Sequence, residues 1–249
     1  MVARHDQTTD PRLQEDLLQA RRGTAFFARK LNELTDADLD GASLLPGWTR
    51  RHIVAHVGYN ARAIARLIEW AATGVETPMY SSPEARNHEI EFGATLSPIA
   101  LRHLFDHSAV HLNVEWRDLS GDAWHNKVKT AQGRIVPAEE TVWMRTREVW
   151  MHSVDLDNGA SFSDIPVPVL ERLVKDITGT WHARGTDTGL QVKVDGTGLA
   201  FGDAGATDPT VVTGPLPAVV EWAAGRGKAG VTATGPGAAE GAPAAPKWI

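Results

Sequence analysis

The chain has no cysteine among its 249 residues. Disulfides, thiolate metal sites and a protein thiol nucleophile are therefore excluded. A metal ion would have to be held by His, Asp or Glu, and thiol chemistry would need a thiol from outside. The chain also lacks any run approaching the ~20 apolar residues of a membrane span. Its start, Met1 to Asp10, is polar and charged, with no apolar signal core. A cytoplasmic protein with no membrane partner is the expectation. An excess of basic charge is missing too. The 25 Lys and Arg against 31 Asp and Glu leave a net charge of -6, which argues against nucleic acid as a partner. Gly-x-Gly-x-x-Gly, P-loop, His-Glu-x-x-His and Gly-x-Ser-x-Gly motifs are all absent.

What is present is globular. Hydrophobic residues make up 42% and charged residues 22%, enough to bury a real core, and the length suits two modest domains. Nine tryptophans against two tyrosines are explained as well by a large core as by an aromatic binding site.

The first two-thirds read as helices. Asp10-Pro11 is an N-cap followed by proline at the first helical position, opening a helix to about Leu34 with Leu13, Leu17, Ala20, Ala25, Phe27 and Leu31 on it. A second helix runs from about Thr49 to Thr73 and is stopped by Gly74. Ser82-Pro83 and Ser97-Pro98 repeat the cap-plus-proline signal, the latter for a helix ending near Leu119. Residues 120 to 137 read as irregular, with a small hairpin about Gln132-Gly133, and a further helix spans about Ala138 to Asp157. The character then changes, with a boundary near 158 to 166. A helix from Val167 to Arg184 is followed by strand candidates at Leu190 to Val194, Leu199 to Phe201 and Thr210 to Thr213. A helix from Pro215 to Ala224 and a strand near Val231 complete the pattern. The Gly-, Ala- and Pro-rich stretch from Gly235 to Pro246 reads as loosely ordered. The class is α+β: an all-helical domain over 1–160 and a small α/β domain over 161–249.

Three residues stand out chemically. On the second helix His52 and His56 share a face, but Ile53, Val57, Ala61, Ile64 and Ile68 define an apolar stripe opposite Arg62, Arg66 and Glu69. His56 lies at the border of that stripe and His52 toward the polar side, so His56 is the better inward ligand. The helix over 138–157 is apolar around most of its circumference, as a buried helix is, yet carries Glu148 and His152 at i and i+4. A buried carboxylate needs a cation. A divalent metal held by His56, Glu148 and His152 would form a two-histidine, one-carboxylate set with open positions. A buried pair of Glu148 with Arg145 or Arg147, and His152 as a core hydrogen bonder, accounts for the pattern equally well. Asp155 reads as a solvated terminal residue rather than a partner of His152. His103, His107 and His111 form a rival row on one helix, but Asp106, Ser108 and Asn113 around them suggest an exposed face. Arg86, near the start of a capped helix, and Arg226, between Gly225 and Gly227, read either as anion anchors or as solvated cations at helix ends.

The combination resembles a known family. Gly47-Trp48-Thr49-Arg50 with His52-Ile53-Val54-Ala55-His56-Val57 and Asn60 is similar to the second helix of mycothiol-dependent maleylpyruvate isomerases. So are Thr77-Pro78-Met79-Tyr80, Ser82-Pro83-Glu84-Ala85-Arg86-Asn87 and Thr130-Ala131-Gln132-Gly133-Arg134. Trp143-Met144-Arg145, Arg147-Glu148-Val149-Trp150, His152 and Val154-Asp155-Leu156 resemble the metal-bearing helix, and Ala223-Ala224-Gly225-Arg226-Gly227 the C-terminal arginine motif. The likeness covers nearly the whole chain, diverging from about Asp187 to Asp208. It implies a DinB-like four-helix bundle followed by a sterol-carrier-like α/β domain. It implies zinc, or another divalent metal, on His56, Glu148 and His152, with mycothiol as thiol cosubstrate. It implies cis–trans isomerisation of maleylpyruvate to fumarylpyruvate in gentisate breakdown, with Arg86 and Arg226 near the substrate carboxylates; a monomer is the separate expectation for the assembly. A mycothiol S-transferase acting on electrophilic xenobiotics would use the same site. A non-catalytic ligand-binding module is the alternative of another class.

Overall fold

A computed structural model describes residues 5–248. Contacts divide the chain at Ala160–Ser161 into two compact units. The first holds α1 (Pro11–Asn32), α2 (Arg50–Thr73), α3 (Pro83–Ala94), α4 (Pro98–Asp118), the two-stranded antiparallel ribbon β1 (Lys127–Lys129) and β2 (Ile135–Pro137), and α5 (Glu140–Asp155). The second holds α6 (Val167–Arg184), β3 (Leu190–Val194), β4 (Ala200–Gly202), β5 (Thr210–Gly214), α7 (Leu216–Ala223) and β6 (Thr232–Thr234). The α+β class expected from the sequence is what this element order builds.

Local chemistry sets the helix ends. The Asp10 carboxylate accepts from the Arg12 N–H at 2.9 Å, the Ser82 hydroxyl from Ala85 at 3.1 Å and the Ser97 hydroxyl from Ala100 at 3.4 Å. In all three, proline follows the cap and sacrifices no helical hydrogen bond. Gly74 ends α2 at φ 75°, a left-handed backbone that glycine adopts without steric cost.

In the first unit α1 packs on α5 and α4, and α2 packs on α3, α4 and α5. Here two expectations need correction. The second helix was expected to bury one stripe, but α2 is the central helix and buries Val54, Ala55, Ala63 and Leu67 as well as Ile53, Ile64 and Ile68. Three neighbouring helices leave only a narrow face, with Arg62 and Glu69, in solvent. Ala25, expected on the apolar side of α1, is exposed, and Gly23 takes the buried position instead.

In the second unit β3 and β5 pair in parallel, with β4 antiparallel on β3 and β6 antiparallel on β5, in the order β4-β3-β5-β6. α6 and α7 pack together through Trp181 and Trp222, whose rings meet edge-on at 5.7 Å. The C-terminal stretch is not loose, contrary to its composition. The Trp222 Nε1–H donates to the Pro243 carbonyl at 2.7 Å, and the Arg184 Nη1 donates to the Trp248 carbonyl at 2.9 Å. Ala242 and Trp248 are buried. The stretch forms no regular element, but Trp222 holds it at Pro243, the Gly237 N–H donates to Thr210 Oγ1 at 2.9 Å, and Arg184 holds Trp248 just beyond it.

Candidate metal centre

The site forms where α2 and α5 face each other. The His56 Nε2 lies 2.8 Å from Glu148 Oε2, and the His152 Nε2 lies 3.2 Å from the same oxygen. One ligand atom from each of the three falls within 4.8 Å of the others. The two imidazole rings stand edge to face at 4.8 Å. Glu148 and His152 share a face because they are four residues apart on α5, and α2 supplies His56 from 92 residues away in sequence.

Asp155 is fully buried, and its Oδ2 accepts from His152 Nδ1 at 2.9 Å. The solvated reading of Asp155 is thereby corrected. The carboxylate fixes the ring so that Nε2 faces Glu148, as outer partners of metal-bound histidines do. Its spacing, three residues after His152, allows a partner role, and burial on an almost wholly apolar helix decides for that role over the solvated one.

The charges follow from burial and contact. Burial alone would raise the Glu148 carboxyl, but hydrogen bonds from His152 and His56 hold it well below the ordinary carboxylate range. Burial would lower His152, but Asp155 and Glu148 together push it up to about 9. Burial lowers His56 despite Glu148, so its ring is the readier of the two to be neutral. The cluster thus sets an ionised carboxylate against two imidazoles, a donor set whose protons a divalent ion would displace. The set fits a metal on its own chemistry. Two imidazole nitrogens and one ionised carboxylate oxygen converge, and the His152 imidazole is oriented from behind by Asp155. Three protein donors leave coordination positions for a ligand, the pattern of catalytic rather than structural zinc.

The surroundings are aromatic and cationic. Trp48 meets His56 edge-on at 5.6 Å. Tyr80 is pushed up to about 12, chiefly by burial, with Arg86 opposing and Glu148 adding to the rise, so its hydroxyl stays protonated near the site. Arg86 is half-buried, and its charge also lowers His56. Neither Trp48 nor Tyr80 announces itself in the sequence beyond membership of the motifs quoted above.

The remaining candidates fall elsewhere. His52 faces the Thr49 N–H at 3.2 Å and hydroxyl at 2.8 Å through Nδ1, so it caps α2 rather than joining the triad. Arg147 Nη2 lies 3.7 Å from Glu148 Oε1, whereas Arg145 bonds to α2 instead. His103 and His107 are stacked at 5.6 Å on the exposed face of α4, and His111 lies beside Glu115 at 3.3 Å. Ser108, read as part of that exposed face, is in fact buried and accepts from Arg62 Nε at 3.1 Å. A separate cleft of about 500 Å³ along α2 and α4 is lined by Arg62, Arg66, Glu69, His111 and Glu115, so its charges largely cancel. Arg226 belongs to the second unit, at the end of α7, where its Nη1 donates to the Ala224 carbonyl at 2.7 Å.

The fold and the triad define a class: a helical domain with an open two-histidine, one-carboxylate centre, joined to a small α/β unit. The sequence profile of the mycothiol maleylpyruvate isomerase N-terminal domain matches residues 20–157. A crystal structure of the mycothiol-dependent maleylpyruvate isomerase matches with a TM-score of 0.90 at 48% identity, covering 95% of this chain and 97% of that one. A crystal structure of a histidine-to-alanine mutant of that isomerase matches with the same values. No curated protein matches the sequence. The chain belongs to the mycothiol maleylpyruvate isomerase family.

Proposed function

We propose that this chain is itself a mycothiol-dependent maleylpyruvate isomerase, converting maleylpyruvate to fumarylpyruvate. The observation that carries this reading is the 48% identity sustained over 95% of the chain to an isomerase of that activity. The absence of cysteine agrees with a thiol supplied from outside.

The reaction needs the order of one carbon–carbon double bond to fall. Addition of the external thiolate to the conjugated double bond forms a C–S bond, and the displaced electron pair moves to the carbonyl oxygen as an enolate. The former double bond is then single and rotates. Collapse of the enolate expels the thiolate and restores the double bond in trans geometry. No atom is gained or lost, and no oxidant is needed.

His56, Glu148 and His152 would hold the metal, which we read as zinc. When bound it would supply a Lewis acid that lowers the pKa of a thiol or water beside it. Asp155 keeps His152 oriented. Trp48 would form an aromatic wall against His56 and limit the water around it, which would strengthen charge interactions there. Arg86 supplies positive charge for the anionic substrate and the enolate. Arg226 is read as a second carboxylate anchor, on the strength of its motif. The reading includes a cytoplasmic, monomeric enzyme, and a larger particle by light scattering would correct that part.

The test is turnover of maleylpyruvate with and without mycothiol, before and after chelation. Turnover should require both thiol and metal and return on adding zinc. Full activity in protein shown to be metal-free by elemental analysis would overturn the metal reading. Arg226→Ala should lose turnover by at least about tenfold, one outer or substrate contact being worth that much, while retaining metal. Unchanged turnover would reduce Arg226 to a helix cap.

A further inference from the structure

Arg145 is 1% exposed, and no ion pair with it exists among the described residues. Its Nη1 donates to the Val57 carbonyl at 2.7 Å and to Asn60 Oδ1 at 3.0 Å, both on α2. Its Nη2 is buried without a hydrogen-bond partner. Burying a guanidinium in this way is unfavourable, and an apolar side chain of similar volume would pack without the penalty. A residue serving packing alone has no reason to be arginine.

The placement supplies a reason. Arg145 stands three residues before Glu148 on α5, and Val57 and Asn60 stand one and four residues after His56 on α2. The contacts His56–Glu148 and Asn60–Arg145 run in opposite chain directions, so they are successive rungs of one antiparallel interface. The first rung is the one a metal would rebuild, because its hydrogen bonds are made by the ligand atoms themselves. The second involves no ligand and grips a backbone carbonyl, so it fixes the position of α2 itself rather than one rotamer.

We propose that Arg145 is a positioning residue of the metal centre: a buried strut that holds α2 against α5 and so sets His56 opposite Glu148. The proposal rests on the metal reading given above. Its sign separates it from electrostatics. A cation beside a divalent-cation site repels the ion, so charge alone makes removal of Arg145 tighten metal binding. Loss of the strut weakens it.

The experiment measures zinc affinity by competition with a chromophoric chelator, for the full chain and for Arg145→Met, Arg145→Lys and Asn60→Ala. Melting of each metal-free protein reports folding. Arg145→Met should weaken zinc binding by about 10- to 100-fold, the usual cost of losing an outer partner of a metal site. Arg145→Lys, which keeps a donor for the Val57 carbonyl, should recover part of that loss. Asn60→Ala, with the charge intact, should weaken binding by about threefold or more. A folded Arg145→Met protein that binds zinc as tightly as the unaltered chain, or more tightly, overturns the strut even if it melts lower. Should Arg145→Met not fold, Asn60→Ala decides, and unchanged affinity there overturns the proposal. Failure of the unaltered chain to bind zinc would instead remove the metal reading, and the strut with it.

Discussion

Two histidines one turn apart on α2 have opposite fates. The first, His52, is occupied by Thr49 at the helix start and has Glu91 at 3.5 Å beyond it. The second, His56, is turned inward onto Glu148. His56→Ala should therefore lose both bound metal and turnover, measured by elemental analysis and assay on one preparation. His52→Ala should keep about one metal per chain and lose only capping stability, about 0.5–2 kcal/mol. The reverse pattern would move the ligand role to His52. That His56 rather than His52 turns inward was readable from helix geometry, because burial on a helix face repeats with a known period. The role of Asp155 was not. A carboxylate near a helix end is usually solvated, and only packing on all sides turns it into a partner for His152.

Among the elements, the approach of α1 to α5 depends on one residue. A β-carbon at Gly23 would lie 2.6 Å from Val149 Cγ2 and 2.7 Å from Trp150 Nε1. Alanine in mid-helix is ordinarily worth about 0.5–1 kcal/mol over glycine. Overpacking a tight contact costs about 1–3 kcal/mol, so the clash outweighs the propensity. Gly23→Ala should destabilise by roughly 1 kcal/mol or more on this balance, read from the denaturant midpoint, and stabilisation would show that the helices can separate freely. The elements themselves were largely legible: α6 begins and ends where its apolar periodicity does, and three helices begin at acidic or serine caps followed by proline. α2 misled for a physical reason. Its small alanines carry little hydrophobic signal, yet they let three helices approach it closely.

For the whole molecule, the three candidate ligands all belong to the first unit. A metal bound to the folded state alone stabilises it by about 2.7 kcal/mol at a hundredfold excess over Kd. Chelation should therefore speed amide exchange in α2 and α5 and leave β3 and β5 unchanged. Uniform acceleration across both units would show that the metal supports more than its own domain.

By itself the sequence placed the helices to within a few residues, offered the strand candidates and a change of character near residue 160, and, by lacking cysteine, required that any thiol come from outside. Each depends on residues a few positions apart or on the absence of a residue type. It narrowed the site to His56, Glu148 and His152 but left a buried ion pair as an equal reading. Only the tertiary structure brought His56 to 2.8 Å from Glu148 across 92 residues. It also buried Asp155 behind His152, sent Arg145 to α2 instead of Glu148, and anchored the glycine-rich tail through Trp222 and Arg184. These outcomes depend on which surfaces are removed from water together, and no local spacing encodes that. Packing thus converges His56, Glu148 and His152 at a candidate metal site, places the buried Asp155 carboxylate behind His152, and bonds the buried Arg145 to α2 within one turn of His56.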